Sequence, residues 1–180
     1  IETSAGRKHF VSRYFRELCT LCEKGIASRA RLSACPHRSL SAIPINASRQ
    51  LVVTEGARPA PVVVVDGDTL GVARHLLLGG FSHVSVLNMA SAARPGGGVW
   101  GGSAAQEESL CRRSNLWAFL EGMRRRGFYP LPVNGGLVSP GVTVFRGTES
   151  QGYPFLPEPF NAELHANAEG KNGCISQEYG

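Results

Sequence analysis

A glycine-rich segment between a predicted strand and a predicted helix constrains the fold of this chain more than any other feature. Residues 88–113 read Asn-Met-Ala-Ser-Ala-Ala-Arg-Pro-Gly-Gly-Gly-Val-Trp-Gly-Gly-Ser-Ala-Ala-Gln-Glu-Glu-Ser-Leu-Cys-Arg-Arg. The five glycines at positions 96, 97, 98, 101 and 102 permit positive φ angles and bring backbone N–H groups close to a ligand. The segment therefore predicts a phosphate-binding loop.

The end of this segment predicts a helix that begins at Ser103. Ser103 and Gln106 have the spacing of a capping box, and the pattern that follows predicts a helix to about Gly122. Glu107 and Glu108 then lie in its first two turns, beside the loop. For an isolated pair of glutamates at a helix start, the favoured explanation is stabilisation by the helix macrodipole rather than a role in a site. The macrodipole stabilises acidic side chains near a helix N-terminus by about 0.3–1 kcal/mol. The helical pattern predicts that Leu110, Trp117 and Leu120 are buried. It places Arg112 and Arg113 near the polar face of the helix.

The first third of the chain predicts one long helix followed by a region of little regular structure. Apolar residues at three- and four-residue steps predict an amphipathic helix over residues 7–24 that ends at Gly25 and packs on the sheet. Residues 27–60 contain three prolines and no sustained periodicity, which predicts loop with a short strand near residues 50–54.

The residues just before the glycine loop predict a parallel crossover. Residues 61–65 form a continuous apolar run, typical of a strand covered on both faces, and Asp68 is a natural N-cap for a helix over residues 69–78. Gly79 and Gly80 end that helix, and residues 83–87 predict the next strand. Ligands of such sheets collect beyond the carboxyl ends of the strands, where Asn88 and the glycine loop follow.

The last part of the chain predicts little beyond one bent strand. Residues 137–146, interrupted by Pro140 and Gly141, predict a bent strand or a strand pair. Residues 147–180 contain three further prolines and a tail rich in Asn, Glu and Gly, which predicts loop or disorder. We expect a domain over residues 1–146, with a helical N-terminal extension at 7–25, and a divergent or disordered tail at 147–180.

Charge and cysteine content narrow the possible partners and compartments. The net charge is +5, and 16 of the 19 basic residues are arginines, which grip phosphates with a bidentate fork. An anionic polymer is a plausible partner, although charge alone favours nucleic acid and ADP-ribose equally. No apolar run is long enough to cross a membrane. Five irregularly spaced cysteines favour reduced thiols and an intracellular protein, cytoplasmic or nuclear.

One subset of these cysteines permits a second interpretation. Cys19 and Cys22, followed by Cys35 and His37, could form a zinc site. Both Cys19 and Cys22 fall within the predicted first helix, where small buried thiols are common. Core packing is therefore the favoured explanation.

The glycine loop and its flanks resemble a known family. Gly-Gly-Gly, seven residues and Gln-Glu-Glu resembles the signature of microbial-type poly(ADP-ribose) glycohydrolases. The flanks also resemble that family: Asn88 before Ala-Ser-Ala, the Glu-Ser-Leu-Cys-Arg-Arg-Ser run that ends at Ser114, and Ser139-Pro140 leading into Val-Phe-Arg at 144–146. The resemblance covers roughly residues 7–146 and is concentrated in residues 88–114.

The resemblance implies a fold, a reaction and a set of site residues. The fold would be macrodomain-like α/β, a mixed or parallel sheet flanked by helices, and incomplete because the family's later strands and second glycine-rich loop are missing. The reaction would be hydrolysis of ribose–ribose bonds in poly(ADP-ribose), releasing ADP-ribose without a metal or another cofactor. The implied residues are Glu108 as catalytic acid/base, Asn88 and Glu107 as ribose ligands, Gln106 as support, and Gly96, Gly97 and Gly98 as diphosphate ligands.

The implied partners are poly(ADP-ribose) or ADP-ribosylated proteins, with no membrane and no specific nucleic acid, and the protein is expected to be a monomer. Two other functions stay open. The first is an ADP-ribose-binding module or an inactive remnant, which the missing C-terminal elements favour. The second is an unrelated nucleotide-binding protein, which rests on the glycine loop alone.

Overall fold

The fold is built on a four-stranded mixed sheet. The computed structural model describes residues 4–23, 43–46, 61–132 and 135–167. The strands are β1 (Ile43–Asn46), β2 (Ser85–Met89), β3 (Gly135–Arg146) and β4 (Phe155–Asn167), arranged in the order β1-β3-β4-β2. β3 is antiparallel to both β1 and β4, and β4 is parallel to β2. The predicted α/β fold with a mixed sheet and flanking helices is confirmed.

The strand β4 contradicts the predicted tail. Residues 155–167 pair with both β3 and β2, so they lie in the middle of the sheet. Alternate residues Ala162, Leu164 and Ala166 are buried, as expected for a strand that packs one face on a core. Prolines 157 and 159 suggested a loop, but they precede this regular stretch and fall where the register against β3 is irregular.

The predicted strand at residues 61–65 is also wrong. In the part of the chain that the structure describes, this run pairs with no strand, and Val62 and Val64 are 90% and 93% exposed. β-branched residues favour an extended backbone, but a strand also needs a neighbouring backbone and a surface to cover it. The expected crossover is therefore replaced by a parallel pairing of β2 with β4.

Within the described residues, four α-helices accompany the sheet: α1 (Ser4–Glu23), α2 (Thr69–Leu78), α3 (Gln106–Arg113) and α4 (Leu116–Arg125). The helix predicted over residues 7–24 is confirmed as α1, but its main contacts are with the glycine loop and α3 rather than with the sheet. The predicted α2 cap is confirmed, since Gly71 N donates to Asp68 Oδ2 over 2.8 Å. The helix ends at Gly79 and Gly80 as predicted.

The predicted single helix over residues 103–122 is replaced by α3 and α4. Ser114 between them is extended and forms a bridge with Val144 of β3. Its hydroxyl donates to Leu110 O over 2.7 Å and accepts from Leu116 N over 3.2 Å, so it closes one helix and opens the next. This kink brings the α3–α4 junction onto the sheet.

The hydrophobic core lies between the sheet and the helices. It draws on all four helices and on β2, β3 and β4, with members that include Phe15, Leu70, Leu110, Leu120, Val86, Val144 and Leu164. The predicted burial of Leu110 and Leu120 is confirmed, and Trp117 is partly buried against the same core. β3 is bent as predicted, with a shift of register between Ser139 and Val142 where Gly141 has φ 67°.

Several predictions concern residues that the structure does not describe. They are the strand predicted near residues 50–54, the end of the first helix at Lys24 and Gly25, and the tail at residues 168–180. Within the region predicted to be mostly loop, the four residues of β1 form a strand against β3.

Candidate active site

The glycine loop follows β2 and is fixed by an aromatic cluster. Trp100 lies in a short 3-10 turn, Val99–Gly101, and packs edge-to-face on Phe15 of α1 and Trp117 of α4, at 4.9 Å and 5.5 Å between ring centroids. The next residue but one, Gly102, has φ 77°, and a Cβ there would lie 2.4 Å from Lys8 O. The loop is therefore pressed against α1, with Trp100 as a partly exposed anchor.

Gln106 opens α3, but it does not complete the predicted capping box. The helix begins at Gln106 rather than Ser103, and Ala105 is its N-cap without a side-chain hydrogen bond. The Gln106 side chain instead accepts from Met89 N over 2.8 Å and donates to Leu87 O over 3.1 Å. Gln106 thus ties the start of α3 to the end of β2, which agrees with the supporting role implied for it.

Glu107 is buried and held by two backbone N–H groups. Its exposed fraction is 2%, and its carboxylate accepts from Ser91 N over 2.8 Å and from Gly96 N over 3.1 Å. Burial raises the pKa of Glu107 to about 7. The two N–H donors and the nearby Asn88 amide oppose this shift, while the Glu108 carboxylate adds to it. Near neutral pH this group therefore exists in both protonation states.

Glu108 is also buried, but only one of its oxygens has a partner. Glu108 Oε1 accepts from Gly98 N over 2.7 Å. Glu108 Oε2 is buried and makes no hydrogen bond within the described residues. The carboxylate is thus anchored at one oxygen and free at the other.

Gly97 lies between the two carboxylates and has no room for a side chain. A Cβ at Gly97 would lie 2.6 Å from Glu108 Oε1 and 3.2 Å from Glu107 Oε2, and the residue has φ 54°. At Gly98, a Cβ would lie 2.2 Å from Ser103 Oγ. Glycine is therefore favoured at Gly97 by both its positive φ and close approach, and at Gly98, where φ is −98°, by close approach alone.

The glycine N–H groups are not turned outward as a phosphate cradle. Gly96 and Gly98 donate to Glu107 and Glu108, and Gly97 N donates to Arg94 O over 3.1 Å. All three predicted donors are thus used within the protein, so binding a diphosphate through them would require a change of partner. The carboxylates compete for them because buried anions need hydrogen bonds from nearby donors.

Asn88 lies where the site needs a polar side chain. It belongs to β2 and is fully buried, on the same face as Val86. Neither atom of its side-chain amide makes a hydrogen bond of acceptable geometry within the described residues. A side chain that only closed a turn would not be buried in this way, so the arrangement favours ligand binding over the turn role.

The two arginines of α3 contradict the predicted polar face. Arg112 is 0% exposed and donates to Ser103 O, and Arg113 is 5% exposed and pairs with Asp68 Oδ1 at 2.6 Å. Both arginines therefore hold other segments in place rather than facing solvent. Amphipathic patterning failed because α3 is enclosed on nearly all sides, with six of its eight residues buried.

The structure brings together all seven residues implied for the site, and it adds two that the sequence did not suggest. Ser91 contributes its backbone N–H to Glu107, and the Glu107 carboxylate helps to raise the pKa of the buried Tyr129 phenol. Backbone donors carry no side-chain signal, and Tyr129 lies 21 positions after Glu108, outside the resembling motif.

The described residues outside the carboxylate pair offer ion pairs at the end of α4 but no metal site. Arg124 and Arg125 both pair with Glu121, so ion pairing at the end of α4 uses charges that could otherwise contact polymer phosphates. Over the described residues, no group of three or more His, Cys, Asp or Glu side chains could hold a metal ion. Cys19 is buried, whereas the Cys22 side chain, Cys35 and His37 fall outside the description. None of the described helices has the length and apolar character needed to span a bilayer.

The chain is similar to solved structures of a poly(ADP-ribose) glycohydrolase. It resembles the poly(ADP-ribose) glycohydrolase of Thermomonospora curvata, with 26% identity and a TM-score of 0.65, over 89% of this chain and 64% of that chain. A structure of the same organism's enzyme bound to the inhibitor ADP-HPD gives 27% identity and a TM-score of 0.64, over 89% and 63%. This chain therefore spans less than two thirds of those proteins.

A family model agrees with these structural matches, although no curated protein sequence matches this chain. The model of the microbial-type PARG catalytic domain matches residues 36–147, which is more than half of the chain and includes the whole glycine loop and both carboxylates. The chain belongs to the family of microbial-type poly(ADP-ribose) glycohydrolase catalytic domains.

Proposed function

We propose that this chain carries the catalytic centre of an enzyme that hydrolyses ribose–ribose glycosidic bonds in poly(ADP-ribose) and releases ADP-ribose. One observation carries the proposal. Glu108 is fixed at Oε1 by the glycine loop, while its other oxygen, Oε2, is buried and has no partner among the described residues. Family membership and the likeness to the Thermomonospora curvata enzyme support the substrate class.

The reaction needs a proton donor at the leaving oxygen and a base for water. Many glycosidases divide this work between carboxyls about 5–10 Å apart on opposite sides of the sugar. Glu107 and Glu108 are sequence neighbours on one helix, and neighbouring side chains point about 100° apart, so they do not flank a sugar in that way. One carboxyl must therefore serve as acid and then as base.

Glu108 is the better candidate for that acid/base. In the first step, Glu108 as general acid gives a proton to the departing ribose oxygen as the bond from that oxygen to the anomeric carbon breaks. Water then attacks the anomeric carbon and returns a proton to Glu108, which replaces the proton that was given. The free Oε2 is the atom that can reach the substrate, because Oε1 is already held by Gly98 N.

Glu107 is better suited to hold the ribose. Both of its oxygens already accept backbone N–H groups, which leaves less freedom to exchange a proton with substrate. Each oxygen still has a lone pair for a ribose hydroxyl. The buried Asn88 amide, close to Glu107, would supply both a donor and an acceptor for the same sugar.

The glycines would act mainly by leaving space. Gly97 permits both carboxylates to approach the loop, and Gly98 permits Ser103 to fold against it. A diphosphate would bind through the glycine N–H groups only after it displaced their present acceptors, which are Glu107, Glu108 and Arg94 O. The three glycines and Gln106 thus position the two carboxylates in the unliganded site.

The proposal is tested with Glu108→Gln and Glu107→Gln in parallel. Gln keeps the shape of Glu but cannot lend a proton, so Glu108→Gln should lower polymer hydrolysis by at least ~10²-fold while ADP-ribose still binds. Glu107→Gln should instead weaken ADP-ribose binding together with the rate. Turnover is measured as the release of ADP-ribose from the polymer, and ADP-ribose affinity is measured by calorimetry.

Three results would change the proposal. Near-full activity of Glu108→Gln would refute the mechanism. A Glu107→Gln protein that binds normally but is inactive would move the acid/base role to Glu107. ADP-ribose binding by the unmodified protein without any hydrolysis would favour a binding module.

A further inference from the structure

The segment that follows α4 is attached to the active site. Leu131 N donates to Ala92 O over 2.8 Å. Ala92 is next to Ser91, whose N–H holds Glu107. The Tyr129 side chain, two residues before Leu131, packs against the hydrophobic core, and the Glu107 carboxylate acts electrostatically on its phenol.

The hydroxyl of Tyr129 is buried and makes no hydrogen bond within the described residues. An unpaired buried hydroxyl is unfavourable, and Phe would fill the same space without this cost. Burial raises the pKa of the Tyr129 phenol, and the neighbouring Glu107 and Cys111 raise it further. The phenol therefore stays protonated and retains a hydrogen to donate.

Other unpaired polar atoms lie at the same carboxylate pair. Glu108 Oε2 is likewise buried without a partner among the described residues, and the buried Asn88 amide, although it acts on Glu107, makes no hydrogen bond of acceptable geometry there. The described residues have other exceptions of this kind at Arg112, Ser139 and Arg146. Buried polar groups in folded proteins are normally hydrogen-bonded, so the exceptions at two residues of the site indicate the place of a polar ligand.

We propose that Tyr129 is a further substrate-binding residue, whose hydroxyl donates a hydrogen bond to the ribose held by Glu107. This inference rests on the proposed function and extends the site beyond its motif. Tyr129 would select ligands that carry this second ribose, because its buried hydroxyl belongs to a phenol on which Glu107, the proposed ribose ligand, acts electrostatically.

A packing role for Tyr129 makes a different prediction from a binding role. If Tyr129 only fills the core, Tyr129→Phe should leave ligand affinity unchanged. If its hydroxyl binds ribose, Tyr129→Phe should weaken ADP-ribose binding about three- to tenfold, the usual worth of one neutral hydrogen bond. In both cases the stability of the ligand-free protein should hold or rise, because the lost hydroxyl has no hydrogen-bond partner in the described part of the chain.

The experiment compares ADP-ribose with ADP, which lacks the second ribose, by calorimetry on the unmodified protein and on Tyr129→Phe. Tyr14→Phe is the matched control, since the Tyr14 hydroxyl donates to Tyr153 O over 2.9 Å and lies outside the site. We expect Tyr129→Phe to weaken ADP-ribose binding, to leave ADP binding unchanged and to keep its melting temperature. Tyr14→Phe should lower the melting temperature and leave both affinities unchanged.

The possible failures are distinguishable. Selective binding of ADP-ribose by the unmodified protein, together with unchanged affinity in Tyr129→Phe, would overturn the role of Tyr129 alone. Equal affinity of the unmodified protein for ADP-ribose and ADP would overturn ribose recognition, and with it both proposals. An equal loss of ADP and ADP-ribose affinity in Tyr129→Phe would show a general disturbance of the site and would also overturn the ribose contact.

Discussion

Replacing Gly97 with alanine tests whether the two carboxylates are held against the glycine loop. The new Cβ would lie 2.6 Å from Glu108 Oε1, an oxygen that Gly98 N holds at 2.7 Å. The carboxylate would have to move, and a hydrogen bond to a charged group is worth about 1.5–3 kcal/mol. The φ of 54° adds about 1–2 kcal/mol for a non-glycine residue, partly offset by about 0.4–1 kcal/mol from the stiffer unfolded chain.

These terms predict that Gly97→Ala destabilises the protein by about 2–4 kcal/mol. Two other glycines separate the contributions. Gly141 has φ 67° with nothing within 4 Å of its Cβ position, so Gly141→Ala measures the backbone term, about 1 kcal/mol or less. Gly101 has neither a positive φ nor a close neighbour, so Gly101→Ala should be nearly neutral.

Urea denaturation of the three variants gives these differences directly, and calorimetry gives ADP-ribose affinity. Gly97→Ala should lose about 2 kcal/mol more stability than Gly141→Ala, and it alone should lose ligand affinity. Equal losses in Gly97→Ala and Gly141→Ala would mean that the carboxylates are not packed on Gly97. The described arrangement of the site would then be wrong.

Three further predictions concern charge and ligand choice. Because Glu107 has a folded pKa of about 7 against a usual value of 4.5, the folded state binds more protons between these values, and stability should fall by about 3 kcal/mol as pH rises through that window. Denaturation at pH 5 and pH 8 should show this fall in the unmodified protein and a smaller one in Glu107→Gln, whereas the same fall in both would contradict it. Asp68→Asn keeps the α2 cap but removes the carboxylate paired with buried Arg113, which keeps its second hydrogen bond to Arg146 O. The substitution should cost about 2 kcal/mol, less than loss of a fully buried pair because Asp68 is partly exposed, and unchanged thermal unfolding would refute this expectation. ADP-ribose should bind more tightly than ATP or NAD in calorimetry, and equal or tighter binding of ATP would remove the ADP-ribose interpretation.

The site was predictable from sequence because its information is local. The order of Asn88, the three glycines and Gln106 to Glu108 places them on one strand, one loop and one helix start. The use of the glycine N–H groups was not predictable in the same way. It depends on how far α3 advances toward the loop, which is set by packing of α1, α3 and the aromatic residues around Trp100.

The errors in the fold share one physical cause, since strands depend on distant partners. Residues 61–65 have the composition of a strand but lack a partner within the described residues, whereas residues 155–167 contain two prolines yet pair on both edges. The alternation of Ala162, Leu164 and Ala166 was the signal that could have revealed β4. Local composition carries less weight for strands than the availability of a neighbouring backbone.

The unequal environments of the two carboxylates give a physical reason for their proposed division of labour. A poly(ADP-ribose) substrate carries negatively charged diphosphates, and two fully ionised buried carboxylates would repel them in a site of low polarity. Burial raises the pKa of Glu107 to about 7, so near neutral pH this carboxyl is protonated for a large part of the time and the repulsion is reduced. A protonated Glu107 can also donate to a ribose oxygen, in addition to accepting a hydrogen bond from a ribose hydroxyl. Glu108, with one oxygen fixed by Gly98 and the other unpaired, is left to exchange the proton that the reaction needs.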